Sequence, residues 1–263
     1  MPEGHTIHRI ARDHHAWFAG QKLLVCSPQG RFENEADVVS GKKLKSVSAH
    51  GKHLFYRWTS KLILHVHLGL YGKFRTQPVP PPEPRGAVRV RMMGKEKAFD
   101  LVGPNCCELI TQKDVGEYQG QLGEDPLHES ASLEKVWNAF QKSRSPVGSV
   151  LLNQKVIAGI GNIYRAEILY LLGIHPMKPA KEVTRDELEE LWSLAQHLME
   201  IGAQHNRIIT AGLSKKNQVP KRLRKSERFH VYKRDNCGKC GTAIESWQLA
   251  NRSMFACPAC QSR

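Results

Sequence analysis

Negative charge is scarce in this sequence: 25 Asp and Glu stand against 39 Lys and Arg, a formal balance of +14 over 263 residues. An excess of that size favours a polyanionic partner, nucleic acid first, with a basic enzyme that is merely soluble as the alternative. No apolar run approaches the ~18 residues of a spanning helix, which excludes a transmembrane helix and argues against a membrane partner. The opening Met1-Pro2-Glu3-Gly4-His5-Thr6 has neither the basic nor the apolar region of a secretory signal, so the chain is expected in a reducing compartment. That compartment is the cytoplasm, beside the nucleoid in a bacterium. No internal repeat of solenoid type is present. With 40% hydrophobic and 24% charged residues the chain is not disordered overall. Its length exceeds the ~150 residues of an average domain, enough for one large or two modest domains, and it is expected to act as a monomer.

Apolar periodicity divides the chain into two halves. Ile7, Ile10, Ala11, His14, Trp17 and Phe18 recur at helical spacing ahead of Gly20, which predicts a first helix. From Lys22 to Thr111 the pattern becomes eight β-favouring runs, at 22–27, 43–49, 53–58, 61–68, 71–75, 87–93, 98–102 and 107–111. Such close spacing predicts an antiparallel sandwich or barrel, with the Pro-rich stretch 78–84 as a stiff loop between strands. Around 116–128 Gly, Pro, Asp and Gln replace the pattern. Helices are then expected over 131–142, 147–154, 163–172 and 184–201, with Ser145-Pro146 as cap and first turn of the second. From Asn206 to Arg234 periodicity fails and Lys215, Lys216, Lys221, Arg222, Arg224 and Lys225 crowd together, which reads as a mobile basic loop.

The most specific local signal is at the end of the chain. Cys237-Gly-Lys-Cys240 and Cys257-Pro-Ala-Cys260 enclose sixteen residues, a four-cysteine zinc spacing. Four thiolates leave no open position, so the expected ion is structural Zn2+ closing a β-hairpin, with Asn251, Arg252 and Ser253 near the tip. These three read either as phosphate contacts or as solvated turn residues. Cys26, Cys106 and Cys107 lack partners at zinc spacing and are expected to be buried free thiols. The histidines, thirteen in all, read mostly as surface or core polar residues, His65 and His67 among them.

Other candidates are weaker taken singly. Gly159-Ile160-Gly161-Asn162 enters a helix by a tight turn that either grips a phosphate or serves helix packing. Pro2-Glu3 is by itself an ordinary dipeptide. Were Met1 removed, however, Pro2 would offer a secondary amine with a reference pKa of ~8, and Glu3 a proton donor or acceptor beside it. Lys52, in His50-Gly51-Lys52-His53, is either a surface lysine or an ammonium aimed at phosphate or a reacting sugar.

Taken together, Met1-Pro2-Glu3-Gly4, Gly51-Lys52-His53, Gly159-Ile160-Gly161-Asn162-Ile163-Tyr164 and the terminal finger with Asn251-Arg252-Ser253 resemble the formamidopyrimidine-DNA glycosylase/endonuclease VIII family, in order and over essentially the whole chain. The resemblance implies an α+β multidomain fold: an N-terminal helix on an antiparallel β-sandwich (1–115, catalytic), a linker (116–130), a helix-two-turn-helix DNA-binding domain with the basic loop (131–235), and a zinc finger (236–263), with a DNA cleft between the domains. It implies removal of oxidised bases from damaged double-stranded DNA, with single-stranded or bubble DNA as a further substrate. By the same resemblance Pro2 is the Schiff-base nucleophile and Glu3 the proton donor. Lys52 assists β-elimination, Arg252 holds phosphates and assists δ-elimination, Asn162 contacts the backbone, and Leu70 and Tyr71 fill the gap left by the flipped base. Three departures matter. Gly94 to Lys142 contains no arginine, which favours the endonuclease VIII branch and oxidised pyrimidines; Gly69 stands where a third wedge residue is common; and Thr6 lacks the carboxylate expected there. The rival readings are a non-enzymatic damaged-DNA-binding protein and an AP lyase with weak glycosylase activity.

Overall fold

The computed structural model describes residues 2–212, 219, 223–224 and 227–262. Of the expected basic loop, Lys215, Lys216, Lys221, Arg222 and Lys225 lie outside the described residues. The chain divides into two compact units, one of residues 1–3 and 7–121 and the other of residues 4–6 and 122–263.

The first unit holds helix α1 (Gly4–Phe18) from Ile7 onward and is built on two antiparallel four-stranded sheets. One has the order β1 (Leu24–Cys26), β6 (Val88–Met93), β7 (Lys97–Val102), β5 (Lys73–Pro78). The other runs β2 (Leu44–His50), β3 (His53–Trp58), β4 (Ile63–His67), β8 (Cys106–Ile110). Each of the eight strands overlaps one of the runs that alternation marks, but β5 continues past the expected 71–75 to Pro78, the first residue of the stretch 78–84 expected as a loop, because Lys73–Pro78 pairs with β7 along its whole length. Phe18, Leu44, Tyr56, Trp58, Val90 and Phe99 fill the core between the sheets, where period-two alternation aims every second side chain. Arg91 and Asp100, directly opposed on β6 and β7, form a buried bidentate pair at 2.6 and 2.8 Å.

Two helices have no counterpart in the sequence pattern. α2 (Glu33–Val39) buries only Ala36 and Val39, too few apolar positions to register as a period. α3 (Gln112–Gln121) buries only Val115 and carries Gly116 and Gly120, so the stretch 116–130 expected as linker begins with the second half of a helix. Tertiary packing against Phe55, Ile63 and Ile110 on the outer face of the second sheet holds α3 where propensity is poor. The unpaired cysteines also differ from expectation. Cys26 is exposed and Cys106 and Cys107 only half-buried, because Cys26 sits on the solvent side of edge strand β1 and β8 is an edge strand as well.

His14 shows how far this core is closed. Its ring stacks on Phe99 at 4.6 Å and Nδ1 lies 2.6 Å from the Tyr56 hydroxyl, and burial drops its pKa to about 3. The unfolded chain therefore takes up a proton that the folded core refuses, so this stability is complete above the ordinary pKa of ~6.5 and is lost as pH falls toward 3. His14 alone is expected to cost about 2 kcal/mol of stability between pH 7 and pH 5. Denaturant titrations of the protein and of His14→Gln at the two pH values check this; an equal pH dependence in both would remove His14 as its source.

The second unit is helical: α4 (Leu133–Gln141), α5 (Val147–Val150), α6 (Asn162–Leu171) and α7 (Arg185–His205), followed by the hairpin β9 (Glu245–Leu249) and β10 (Arg252–Ala256). α7 starts in a capping box in which Thr184 Oγ1 accepts from Glu187 N and the Glu187 carboxylate accepts from Thr184 N. α5 is shorter than the expected 147–154, and Pro146 rather than Ser145 caps it, without a side-chain bond. Gln154 is instead committed to the glycine turn, donating to Ile160 O at 2.9 Å and accepting from Gly159 N at 3.0 Å. Among the described residues no helix is long and apolar enough to cross a membrane.

Candidate functional site

Pro2 and Glu3 stand at the head of α1, where Glu3 is the N-cap residue in extended backbone and is fully buried. An acidic group at this end of a helix is favoured by the unpaired N–H groups of the first turn. The next three residues pack among the elements of the second unit. Gly4 N donates to Gly159 O at 2.8 Å, and a Cβ on Gly4 would come within 2.9 Å of Gly159 Cα, so this approach needs a glycine at position 4, while Gly159 has a φ of 99° that favours glycine. His5 lies edge-on to Tyr164 and takes Thr6 Oγ1 at 3.0 Å, and burial lowers its pKa to about 4.

Lys52 occupies the two-residue turn joining β2 to β3, half-buried, with Gly51 supplying the positive φ (56°) such a turn requires. Burial first, and then the positive charge of His67, His65, His50 and Lys52, holds His53 down to about 3, so the ring beside Lys52 stays neutral. Leu70 and Tyr71 lie between β4 and β5 and project from the surface, 50% and 82% exposed. Gly69 before them has φ 64°, and a Cβ there would stand 2.7 Å from Asn105 Cβ, so no larger side chain fits at this position.

In the second unit the structure joins Asn162 to the hairpin. Asn162 is the first residue of α6, is buried, and donates from Nδ2 to Ser253 O at 2.9 Å. Arg165, one turn later and fully buried, donates to Gly148 O, Leu249 O and Arg252 O at 3.1–3.3 Å. Both hairpin strands are thus gripped through their carbonyls while the Arg252 side chain stays exposed. Ala250 and Asn251 form the turn, both with positive φ. Glu167, also fully buried, accepts from Thr210 Oγ1 at 2.5 Å and from the N–H groups of His230, Val231 and Tyr232 at 2.7–2.9 Å. Arg165 and Glu167 escape sequence reading because α6 is buried nearly all round, which erases the polar face that would single them out.

Cys237, Cys240, Cys257 and Cys260 converge, their sulfurs all within 4.8 Å of one another. The Cys237–Cys260, Cys240–Cys257 and Cys240–Cys260 separations are 3.9, 3.5 and 3.5 Å. A tetrahedral ion with Zn–S of ~2.3 Å sets sulfurs about 3.8 Å apart, so the donor set fits one zinc ion. The Thr242 side chain and backbone hold the Cys240 thiol down to about 6, whereas the hydrogen bond with Cys240 pushes Cys260 up and burial pushes Cys257 up.

A β-sandwich with a buried carboxylate at its N-terminal helix, and a helical unit clasping a four-cysteine hairpin that displays an arginine, define a basic, nucleic-acid-directed class of protein. The comparisons with known proteins agree. Residues 1–102 match the formamidopyrimidine-DNA glycosylase N-terminal domain and residues 122–212 the formamidopyrimidine-DNA glycosylase H2TH domain. The chain is 41% identical to Endonuclease 8 1 of Mycobacterium tuberculosis over the full length of both, and 30% identical to Endonuclease 8 of Klebsiella pneumoniae over 99% of this chain and 100% of that protein. It shares its fold with Lactococcus lactis Fpg crystallised with Fapy-dG-containing DNA, at TM-score 0.82 and 23% identity over the whole of both chains. The chain belongs to the formamidopyrimidine-DNA glycosylase/endonuclease VIII family of DNA-repair glycosylases.

Proposed function

We propose that this glycosylase is bifunctional, removing oxidised bases, mainly pyrimidines, from damaged duplex DNA and then cleaving the abasic strand as an AP lyase by β,δ-elimination. The observation that carries the reading is the buried carboxylate of Glu3 next to Pro2. With Met1 removed, the Pro2 amine attacks C1′ of the flipped nucleotide, and the glycosidic bond breaks as the base leaves with a proton from Glu3. The Pro2 nitrogen then gives up its own proton and the C1′–O4′ bond opens, O4′ leaving as a hydroxyl, so that the product is a positively charged iminium that acidifies the adjacent sugar carbon. Lys52 assists the first elimination. Arg252, on a hairpin whose backbone Arg165 fixes, holds the phosphates and assists the second. Asn162 supports the backbone contact from the same junction. Leu70 and Tyr71, apolar and exposed, fill the gap in the stack as a two-residue wedge, since Gly69 leaves no room for a third. Zinc held by the four cysteines is structural: it braces the hairpin and takes no part in the chemistry. The preference for pyrimidines rests on the likeness to endonuclease 8 proteins and on the absence of arginine from Gly94 to Lys142.

The test is borohydride trapping on an abasic-site duplex with peptide mapping of the adduct. A cross-link at Pro2 is expected. One at Lys52 would keep the lyase and move the nucleophile, and none, with tight binding retained, would make the protein a damage-binding module. Thr6, which meets His5 instead of supplying a carboxylate, favours as second reading an AP lyase with weak base removal.

A further inference from the structure

The outer face of sheet β2-β3-β4-β8 carries polar side chains that neither the proposed chemistry nor the four-cysteine cluster uses. Register sets His65 opposite Glu108, His67 opposite Cys106 and His53 opposite His67, so alternation turns these side chains to one face. Three of them meet. The buried ring of His65 presents Nδ1 3.0 Å from Glu108 Oε1 and 3.6 Å from Cys106 Sγ, and Cys106 Sγ lies 3.2 Å from the same Oε1.

A zinc ion bound tetrahedrally by one nitrogen, one sulfur and one oxygen, at ~2.0–2.3 Å, sets the N–S edge at about 3.6 Å, the S–O edge at about 3.5 Å and the N–O edge at about 3.3 Å. The first is already met and the other two need only open by about 0.3 Å. The surroundings also match those of metal ligands, whose outer atoms are usually hydrogen-bonded. His65 Nε2 lies 2.8 Å from His53 Nδ1, and the Tyr118 hydroxyl donates to Glu108 at 2.7 Å.

We propose that His65 Nδ1, Cys106 Sγ and a Glu108 oxygen form a second metal site, for a borderline divalent cation of the zinc type, with the fourth position open to solvent. Glu108 is 41% exposed, which gives the ion a way in and leaves room for water. A mixed N, S, O set disfavours magnesium and calcium, which need oxygen donors throughout. On binding, Cys106 loses its proton to solvent, while His65 keeps one proton on Nε2, donated to His53 Nδ1, and turns its Nδ1 lone pair to the metal. The histidines read from sequence as plain polar residues thus have one member with a ligand's geometry. The site differs from the four-cysteine centre in having three protein ligands, so it exchanges its ion readily.

The test is a cobalt titration of the full chain stripped of metal, followed by native mass spectrometry after zinc replaces cobalt. The expected end point is two equivalents, the second adding a weaker thiolate-to-cobalt absorption, with two zinc ions per chain. Cys106→Ala and Glu108→Gln should each bind one ion and keep the four-cysteine spectrum, and the second equivalent should raise Tm in the unaltered protein only. An end point of one equivalent in the unaltered protein, with the four-cysteine spectrum alone, overturns the proposal whatever the variants do. So does a second equivalent that both variants retain.

Discussion

Glu3→Gln is expected to slow excision of an oxidised pyrimidine by roughly 10²–10⁴-fold, the usual worth of a placed general acid, while leaving cleavage of a pre-formed abasic site nearly intact. The amide matches the carboxylate in size, so the pocket that buries Glu3 completely stays filled. What it lacks is a proton to give. An abasic sugar has already lost its base, and its opening by Pro2 needs no leaving group protonated at the glycosidic position. Single-turnover rates on the two substrates measure the split. An equal fall on both would make Glu3 an orienting residue for Pro2, and an unchanged excision rate would remove it from the mechanism.

Removing zinc is expected to have the largest effect on the second unit. Metal binding to four-cysteine sites carries apparent free energies of about 10–16 kcal/mol, and a two-stranded hairpin alone is marginal in water. Chelation, or Cys240→Ser, should therefore unfold 237–260 and with it the exposed Arg252, weakening binding to an abasic-site duplex roughly 10–100-fold, the worth of one or two charge-assisted phosphate bonds. The helices should persist, because the core to which Val136, Phe140, Leu169, Leu188 and Leu191 belong is drawn mostly from helical residues, with only Cys237, Met254 and Cys257 added from the 237–260 segment. Hydrogen exchange reads both halves of this: early loss of protection confined to 245–256, and late exchange kept in α6 and α7. Metal-free protein that binds DNA undiminished would separate the hairpin from recognition.

Sequence alone locates the strands of the sandwich and most of the helices because their buried faces repeat at two or about three and a half residues. α2 and α3 escape because each buries one or two side chains and is held by what it lands on. The four cysteines are visible because their spacing is a local property. His65, Cys106 and Glu108 are invisible for the opposite reason: His65 is more than forty residues from the other two and meets them only through the pairing of β4 with β8, a register the sequence does not display. Arg165 and Glu167 look out of place on a buried helix until their partners are known, since each is charged and each binds backbone from elsewhere in the second unit.

Glu167 has one more consequence. It binds Thr210 on one side and His230 to Tyr232 on the other, and Thr210 N and Ala211 N both donate to Arg228 O. The chain leaving at Ala211 is thus tied off where it comes back at Arg228, and the cost of bringing those ends together is met at the base. The two ends of the basic segment are therefore set by the helical framework itself, through Glu167, Thr210 and Arg228.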